Sequence, residues 1–242
     1  MVKLLFCKEQ KKYYPWDESG DFHCNFGTLR KADLDAAGEG GTVTSTTGVV
    51  FHVITQRFSD KYAKLRRLAQ IINPKDAGHI LSVVGNDYRR VLDCGAGSGA
   101  LSVLLAQVNK DAHIYSVDIR EDHLAHAKKN ALAFGLSNIS FIHHDIYTGI
   151  PEKNIDLLTL DIPEPYKVVP FFKESLVPGA FIVVYVPNAN QVLDFVNALD
   201  DSYFVIKVVE IMERFWNVGG KVLRPSSLGA QHTGFLAFVR YV

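Results

Sequence analysis

The sequence predicts an α/β fold in which helices cover both faces of a parallel sheet, preceded by a small β-rich domain. Three observations predict it. From Ser59 onward, short apolar runs of strand character alternate with segments of helical period. A glycine-rich turn, Asp93-Cys94-Gly95-Ala96-Gly97-Ser98-Gly99, stands where the first of the buried strands becomes a helix. Before residue 59 the alternation is absent, and strands and turns follow one another. The expected division is a β-rich domain over 1–58 and an α/β domain over 59–242.

In the first region, Met1 to Cys7 and Gly48 to Ile54 are β-rich and bounded by turn residues. Gly38-Glu39-Gly40-Gly41 makes a flexible turn, and a helical period shows only around Lys31 to Ala37. Ser59-Asp60 is expected to cap a helix through Tyr62, Leu65, Leu68, Ala69 and Ile72, apolar at three- and four-residue spacing. Pro74 opens another helix, with Asp76 in its first turn where the helix dipole favours an anion. Strands are expected around Val91 to Asp93, Ile114 to Asp118, Ile139 to Ile142, Ile155 to Asp161 and Ala180 to Val186. The helices between them are expected around Ser98 to Val108, Glu121 to Phe134 and Ala189 to Leu199. The last two strand runs, near Tyr203 and Tyr241, have no helical pattern between them and should pair antiparallel at one edge.

Composition narrows the function classes. With 242 residues, 48% of them hydrophobic and 21% charged, the chain can fill a real core, which excludes a disordered, collagen-like or disulfide-stapled protein. No apolar run reaches the roughly 18–20 residues of a spanning helix, and the first apolar stretch is too short for a signal sequence. Cys7, Cys24 and Cys94 show no Cys-x-x-Cys spacing and read as reduced thiols of a cytoplasmic protein. With 26 basic and 26 acidic side chains, only local basic patches could hold a polyanion.

The glycine loop allows a tight turn and a close backbone approach to a ligand. Asp118 ends the next strand, where a carboxylate can accept hydrogen bonds from the ribose of an adenosine. Two cofactors satisfy this pattern. Gly95-x-Gly97-x-x-Ala100 fits a dinucleotide fingerprint; the same stretch fits a loop for S-adenosyl-L-methionine. Asp93 favours the second, since an acid pointing into the site suits a cationic ligand and repels a pyrophosphate. Asp145, ending the third strand, could accept from the adenine amino group.

Asp161-Ile162-Pro163-Glu164-Pro165-Tyr166 ends the fourth strand, across the crevice from the glycine loop. The two prolines stiffen it. A fixed carboxylate and a flat ring suit a purine, one accepting from its exocyclic amine and the other stacking. The competing reading is that Asp161 caps a short helix beginning near Tyr166.

With these pieces in order the chain resembles the tRNA (adenine-N1)-methyltransferases that act on the T-loop adenosine at tRNA position 58, in their archaeal and bacterial homotetrameric branch. The resemblance covers nearly the whole chain. It rests on Arg67-Leu68-Ala69-Gln70, Pro74-Lys75-Asp76, Asp93 to Leu101, Asp118 to His123, Asp161 to Tyr166, Arg224-Pro225 and His232-Thr233-Gly234-Phe235-Leu236. It implies a Rossmann-like class I S-adenosylmethionine-dependent methyltransferase fold. It also implies that Ser98, Gly99, Ala100 and Leu101 line the methionine end of the cofactor, beside Gly95 and Gly97. Asp118 would hold the ribose with His123 beside it, Asp145 would reach the adenine, and Asp161 would be the catalytic carboxylate. Gln70 would face the same pocket, with Tyr166 as the substrate-side ring. Family members often carry an aromatic residue where this chain has Asn73, and Trp where it has Tyr166. Methylation of position 57 as well as 58 stays open.

Other signals are weaker. His123 and His126 share a helix face, but no third ligand of suitable spacing is evident, so no metal is expected and His126 reads as solvated. Cys94 reads as a packing residue. Lys11-Lys12, Arg30-Lys31, Lys64 with Arg66-Arg67, and Arg89-Arg90 are short basic clusters that form an RNA track only if assembled on one surface. The expected activity is methyl transfer to N1 of a tRNA adenosine. The alternatives are a nicotinamide-dependent oxidoreductase and a non-catalytic tRNA-binding scaffold.

Overall fold

The structure is a computed structural model that describes residues 2–227 and 232–242. Met1, assigned above to the first strand, lies outside the described residues. Two compact units are present, one ending at Leu65 and one running Arg66–Val242.

In the first unit, alternating apolar residues build an antiparallel sheet. Strands β1 (Lys3–Cys7) and β2 (Lys12–Trp16) form a hairpin, followed by a short pair, β3 (Phe22–Cys24) and β4 (Gly27–Leu29). Helix α1 (Lys31–Ala37), strands β5 (Thr42–Thr44) and β6 (Val50–Thr55), and helix α2 (Phe58–Ala63) complete it. The sheet order is β2-β1-β6-β5, and Leu5, Trp16, Leu34, Phe51 and Val53 fill its core.

The helix expected to run from Ser59 to Ile72 stops at Ala63. Residues 66–73 are irregular, and partners elsewhere in the second unit take up backbone groups of Arg66, Leu68 and Ala69, as described below.

The second unit begins with α3 (Pro74–Val84), capped by Asn73, whose Oδ1 accepts from Lys75 N at 3.1 Å. Then β7 (Arg90–Cys94), α4 (Ala100–Val108), β8 (His113–Asp118), α5 (Glu121–Ala133), β9 (Ile139–His143) and β10 (Ile155–Leu160) alternate as expected. Helix α6 (Phe172–Ser175), β11 (Leu176–Val186), α7 (Ala189–Asn197) and β12 (Tyr203–Glu210) follow. A hairpin of β13 (Trp216–Gly219) and β14 (Val222–Pro225), not anticipated from the sequence, precedes β15 (Phe235–Tyr241). The sheet order is β12-β15-β11-β10-β7-β8-β9. β11, β10, β7, β8 and β9 are parallel, and β15 pairs antiparallel with both β11 and β12, closing one edge. Leu92, Leu158, Ile182 and Val184 of the sheet and Phe195 of α7 are fully buried. Among the described residues no helix is long and apolar enough to cross a membrane.

Candidate active site

Where a sheet order reverses, the loops leaving two neighbouring strands diverge and open a crevice at their carboxyl ends. Here the chain leaves β7 for β8 and β9 on one side and returns as β10 on the other. The glycine loop after β7 therefore faces Asp161 after β10.

The two loops approach closely. Asp161 N donates to Cys94 O at 2.9 Å, and a Cβ built on Gly95 would lie 2.1 Å from the Asp161 carbonyl oxygen. Gly95 also has φ +89°, a left-handed conformation that costs other residues about 1–2 kcal/mol. Gly95→Ala is expected to separate the loops and lower the melting temperature by about 2–4 °C for each kcal/mol lost. A thermal-shift trace superimposing on wild type would refute this.

The cavity has a volume of about 440 Å³, within the range of small-molecule sites. Gln70, Gly95, Gly97, Asp118, His123, Asp145 and Asp161 all line it. Ser98, Ala100 and Leu101 line a smaller recess beside it, together with Gln70 and Asp161. Gly99 is on neither wall. It adopts φ +73°, and its missing Cβ lets α4 pack against Ala127 of α5.

The loop amides are already engaged. Gly95 N and Ala96 N both donate to Val117 O, at 2.9 and 3.0 Å, and Gly99 N donates to Ala96 O. Gly97 N donates to Asp118 Oδ2 at 2.9 Å. A pyrophosphate would need those N–H groups free, so the loop does not suit a dinucleotide. Asp118, 9% exposed, also accepts from Arg120 N at 3.0 Å, and His123 Nδ1 lies 3.1 Å from its Oδ2.

Asp161 has no hydrogen-bond partner for its carboxylate among the described residues. Burial, then the charges of Asp93 and Asp118, push its pKa up to about 7. Asp93 differs from the sequence expectation of a ligand-facing acid. Both its oxygens are held by hydroxyls, Oδ2 by Ser102 and Oδ1 by Thr159 at 2.7 Å, and burial raises its pKa. Asp93 still lines the smaller recess beside the cavity, with its carboxylate oxygens engaged by those hydroxyls. Asp145 Oδ1 accepts from Tyr147 N at 3.0 Å, starting a short 3-10 turn, Ile146–Thr148. The clustered carboxylates make the cavity suited to a cation.

A sequence profile of the family described as "Methyltransferase domain" matches residues 86–225. The tRNA (adenine(58)-N(1))-methyltransferase TrmI of Thermus thermophilus is 32% identical over 92% of this chain and 89% of its own length. The chain belongs to the tRNA (adenine-N1)-methyltransferase family. The tRNA (adenine(57)-N(1)/adenine(58)-N(1))-methyltransferase TrmI of Methanocaldococcus jannaschii is 28% identical, covering 98% of this chain and 94% of its own. The crystal structure of tRNA (m1A58) methyltransferase TrmI from Aquifex aeolicus matches with TM-score 0.79 and 25% identity, over 100% and 97% of the two chains. That of a SAM-dependent O-methyltransferase from Thermotoga maritima matches at 0.86 and 25%, over 100% and 92%.

Within this tRNA (adenine-N1)-methyltransferase, several expectations need correcting. Tyr166 is not on the cavity wall: its hydroxyl donates to Glu164 Oε1 at 2.9 Å. The cavity's aromatic residue is Tyr147, whose hydroxyl accepts from Glu164 N at 3.1 Å. The only sequence signal for it was an aromatic two residues beyond Asp145. Ile119 and His144 also line the cavity without having been singled out, and so do Ile162 and Pro163, noted only as part of the segment that stiffens Asp161. Asp161 caps nothing, since Glu164 occupies the N-terminal position of the 3-10 helix Pro165–Phe171. His126 is half-buried, its Nε2 2.9 Å from Arg66 O, rather than solvated. Cys94 is fully buried and its thiol pKa is pushed well up, in keeping with packing. No group of three His, Cys, Asp or Glu that could hold a metal occurs among the described residues.

Two motifs far apart in sequence meet in a buried polar cluster. Lys75 Nζ lies 2.7 Å from Asp76 Oδ1, and Thr233 Oγ1 donates to Asp76 Oδ2 at 2.7 Å. Tyr185 OH donates to Thr233 O at 2.8 Å. This joins α3 to the segment that enters β15.

Proposed function

We propose that this enzyme transfers a methyl group from S-adenosyl-L-methionine to N1 of adenosine 58 in the T-loop of tRNA. The observation that carries the reading is the unpartnered Asp161 carboxylate in a cavity also lined by Asp118. The donor set fits the cofactor. Asp118 offers acceptors for ribose hydroxyls, Asp145 keeps an oxygen free for an adenine amine, and the cluster of acids favours a sulfonium. When bound, that cofactor supplies an electrophilic methyl group.

Adenine N1 carries its own lone pair, so no base is needed to create the nucleophile. The exocyclic amine becomes more acidic as the ring gains positive charge. A carboxylate accepting from that amine binds the transition state more strongly than the ground state, the condition for raising the rate. Asp161, held by its backbone bond to Cys94 and by Pro163 and Pro165, takes this role. Tyr147 and Ile162 exclude water around it. Gln70 faces the same space.

For the RNA, Arg66 and Arg67 are exposed and sit on the segment that walls the cavity. Arg89 and Arg90, another of the short basic clusters, stand at the start of β7 and so lie at the opposite end of the strand from the site. Arg90 is engaged by Glu152 at 3.0 Å and by the Tyr115 ring at 4.9 Å. Log K for tRNA against log [salt] is expected to fall, with Arg67→Ala flattening the slope by about one unit and Arg90→Ala leaving it unchanged. A flat plot for wild type would mean that the arginines are only solvated.

Phe215, Trp216, Val218, Val222 and Leu223 of the β13–β14 region are each more than half exposed, which supports a homotetramer that covers them. The reaction is tested by mass spectrometry of digested T-loop RNA after incubation with enzyme and cofactor. Methyl on N1 of adenosine 58 is expected; unmodified RNA would overturn the reading. Methyl at 57 as well would extend the target to both positions.

A further inference from the structure

Residues 66–70 cross the glycine loop without helix or strand hydrogen bonding of their own. Backbone polar groups in such a segment still need partners. Ser98 and Asn130 supply most of them, and His126 Nε2 adds a second bond to Arg66 O at 2.9 Å. Ser98 Oγ accepts from Leu68 N at 2.9 Å and Ala69 N at 3.2 Å, and donates to Ala69 O at 3.3 Å. Asn130 Nδ2 donates both its hydrogens, one to Arg66 O at 2.9 Å and one to Ser98 O at 2.8 Å. Ser98 and Asn130 are 2% and 5% exposed, so water cannot readily replace these bonds. One amide on α5 thus ties the segment to the loop, and Ala69 and Gln70 are then presented to the cavity.

We propose that Asn130 is a positioning residue for cofactor binding: its amide pins residues 66–70 onto the glycine loop and preorganises that wall of the site. The inference rests on reading the cavity as the S-adenosylmethionine site. It changes what Ser98 does, since that hydroxyl fastens the strap instead of reaching the ligand. A wall ordered beforehand does not have to be ordered on binding, so its loss weakens affinity while leaving the Asp161 side of the cavity intact.

The test uses Asn130→Asp, close in volume to Asn, and Asn130→Leu, its branched apolar counterpart, both without the amide donors. His126→Ala is a milder variant that removes only the second bond to Arg66 O, the one from His126 Nε2 at 2.9 Å. S-adenosylhomocysteine affinity is read by calorimetry, and strap release by tryptic cleavage after the exposed Arg66 and Arg67. The Asn130 variants are expected to bind about tenfold more weakly and to be cleaved several-fold faster, with kcat at saturating cofactor within about twofold of wild type. His126→Ala should show both effects at about two- to threefold. Ser98→Ala combined with Asn130→Leu should cost less than the sum of the two, because both act through one strap. Wild-type affinity and cleavage rate in His126→Ala and in either folded Asn130 variant would overturn the proposal, as would loss of kcat with KM for cofactor unchanged. Failure of wild type itself to bind S-adenosylhomocysteine would overturn the cofactor reading and the proposal together.

Discussion

Asp161→Ala is expected to turn over tRNA about 10²-fold or more slowly at saturating cofactor, while still binding S-adenosylhomocysteine. The size follows from removing one preorganised charge that strengthens its contact as the adenine becomes cationic. Asp161→Asn should also be impaired, since its carbonyl can accept a hydrogen bond but the charge is gone. Burial and the two neighbouring acids hold the carboxyl near pKa 7, so kcat/KM for cofactor should rise with pH through about 7 in wild type and lose that limb in Asp161→Asn. Stability runs the other way. A carboxyl whose folded pKa lies above its unfolded value contributes most when protonated, and the contribution is lost as pH rises from about 4 through about 7. Asp161→Asn should therefore gain more thermal stability over wild type at pH 8 than at pH 5. Near wild-type turnover by Asp161→Ala would remove Asp161 from the mechanism.

Asp118→Ala is expected to weaken S-adenosylhomocysteine at least tenfold. The carboxylate already receives Gly97 N–H and Arg120 N–H, with His123 beside it, and these contacts fix its orientation toward the cavity. Even one remaining charge-assisted bond to a ribose hydroxyl is worth about 1.5–3 kcal/mol, and tenfold is about 1.4. The variant also strips Gly97 N–H of its acceptor and loosens the loop. Asp118→Asn keeps an acceptor there without the charge and should fall between the two. Unchanged calorimetric affinity in Asp118→Ala would exclude it as the ribose ligand.

Both residues were legible in the sequence because each stands at the end of a strand whose identity is local: Leu157 to Leu160 and Ile114 to Val117 are largely apolar, largely buried runs, and a turn must follow. The glycine loop was legible for the same reason. The family resemblance was what raised Asp161 above the helix-capping reading, which the backbone then excluded by putting Glu164 at the start of that helix. Tyr166 was chosen by nearness in sequence to Asp161, and Tyr147 was not weighed. Two neighbouring side chains can face different surfaces, and here the Glu164 carboxylate draws the Tyr166 hydroxyl aside.

The order of strands and helices, the loop and its acids are thus properties of the sequence itself, since periodicity, glycine conformation and strand ends are decided within a few residues. The path of residues 66–73 is not. Their apolar spacing fits a helix, yet Ser98 and Asn130, far along the chain, bind the very N–H and C=O groups that a helix would have paired internally. The β13–β14 hairpin, the Arg90–Glu152 pair and the meeting of Asp76 with Thr233 likewise join partners that no local pattern connects. Only the folded chain chooses among the competing partners for a backbone group or a charge, because that choice depends on which of them it brings within hydrogen-bonding distance.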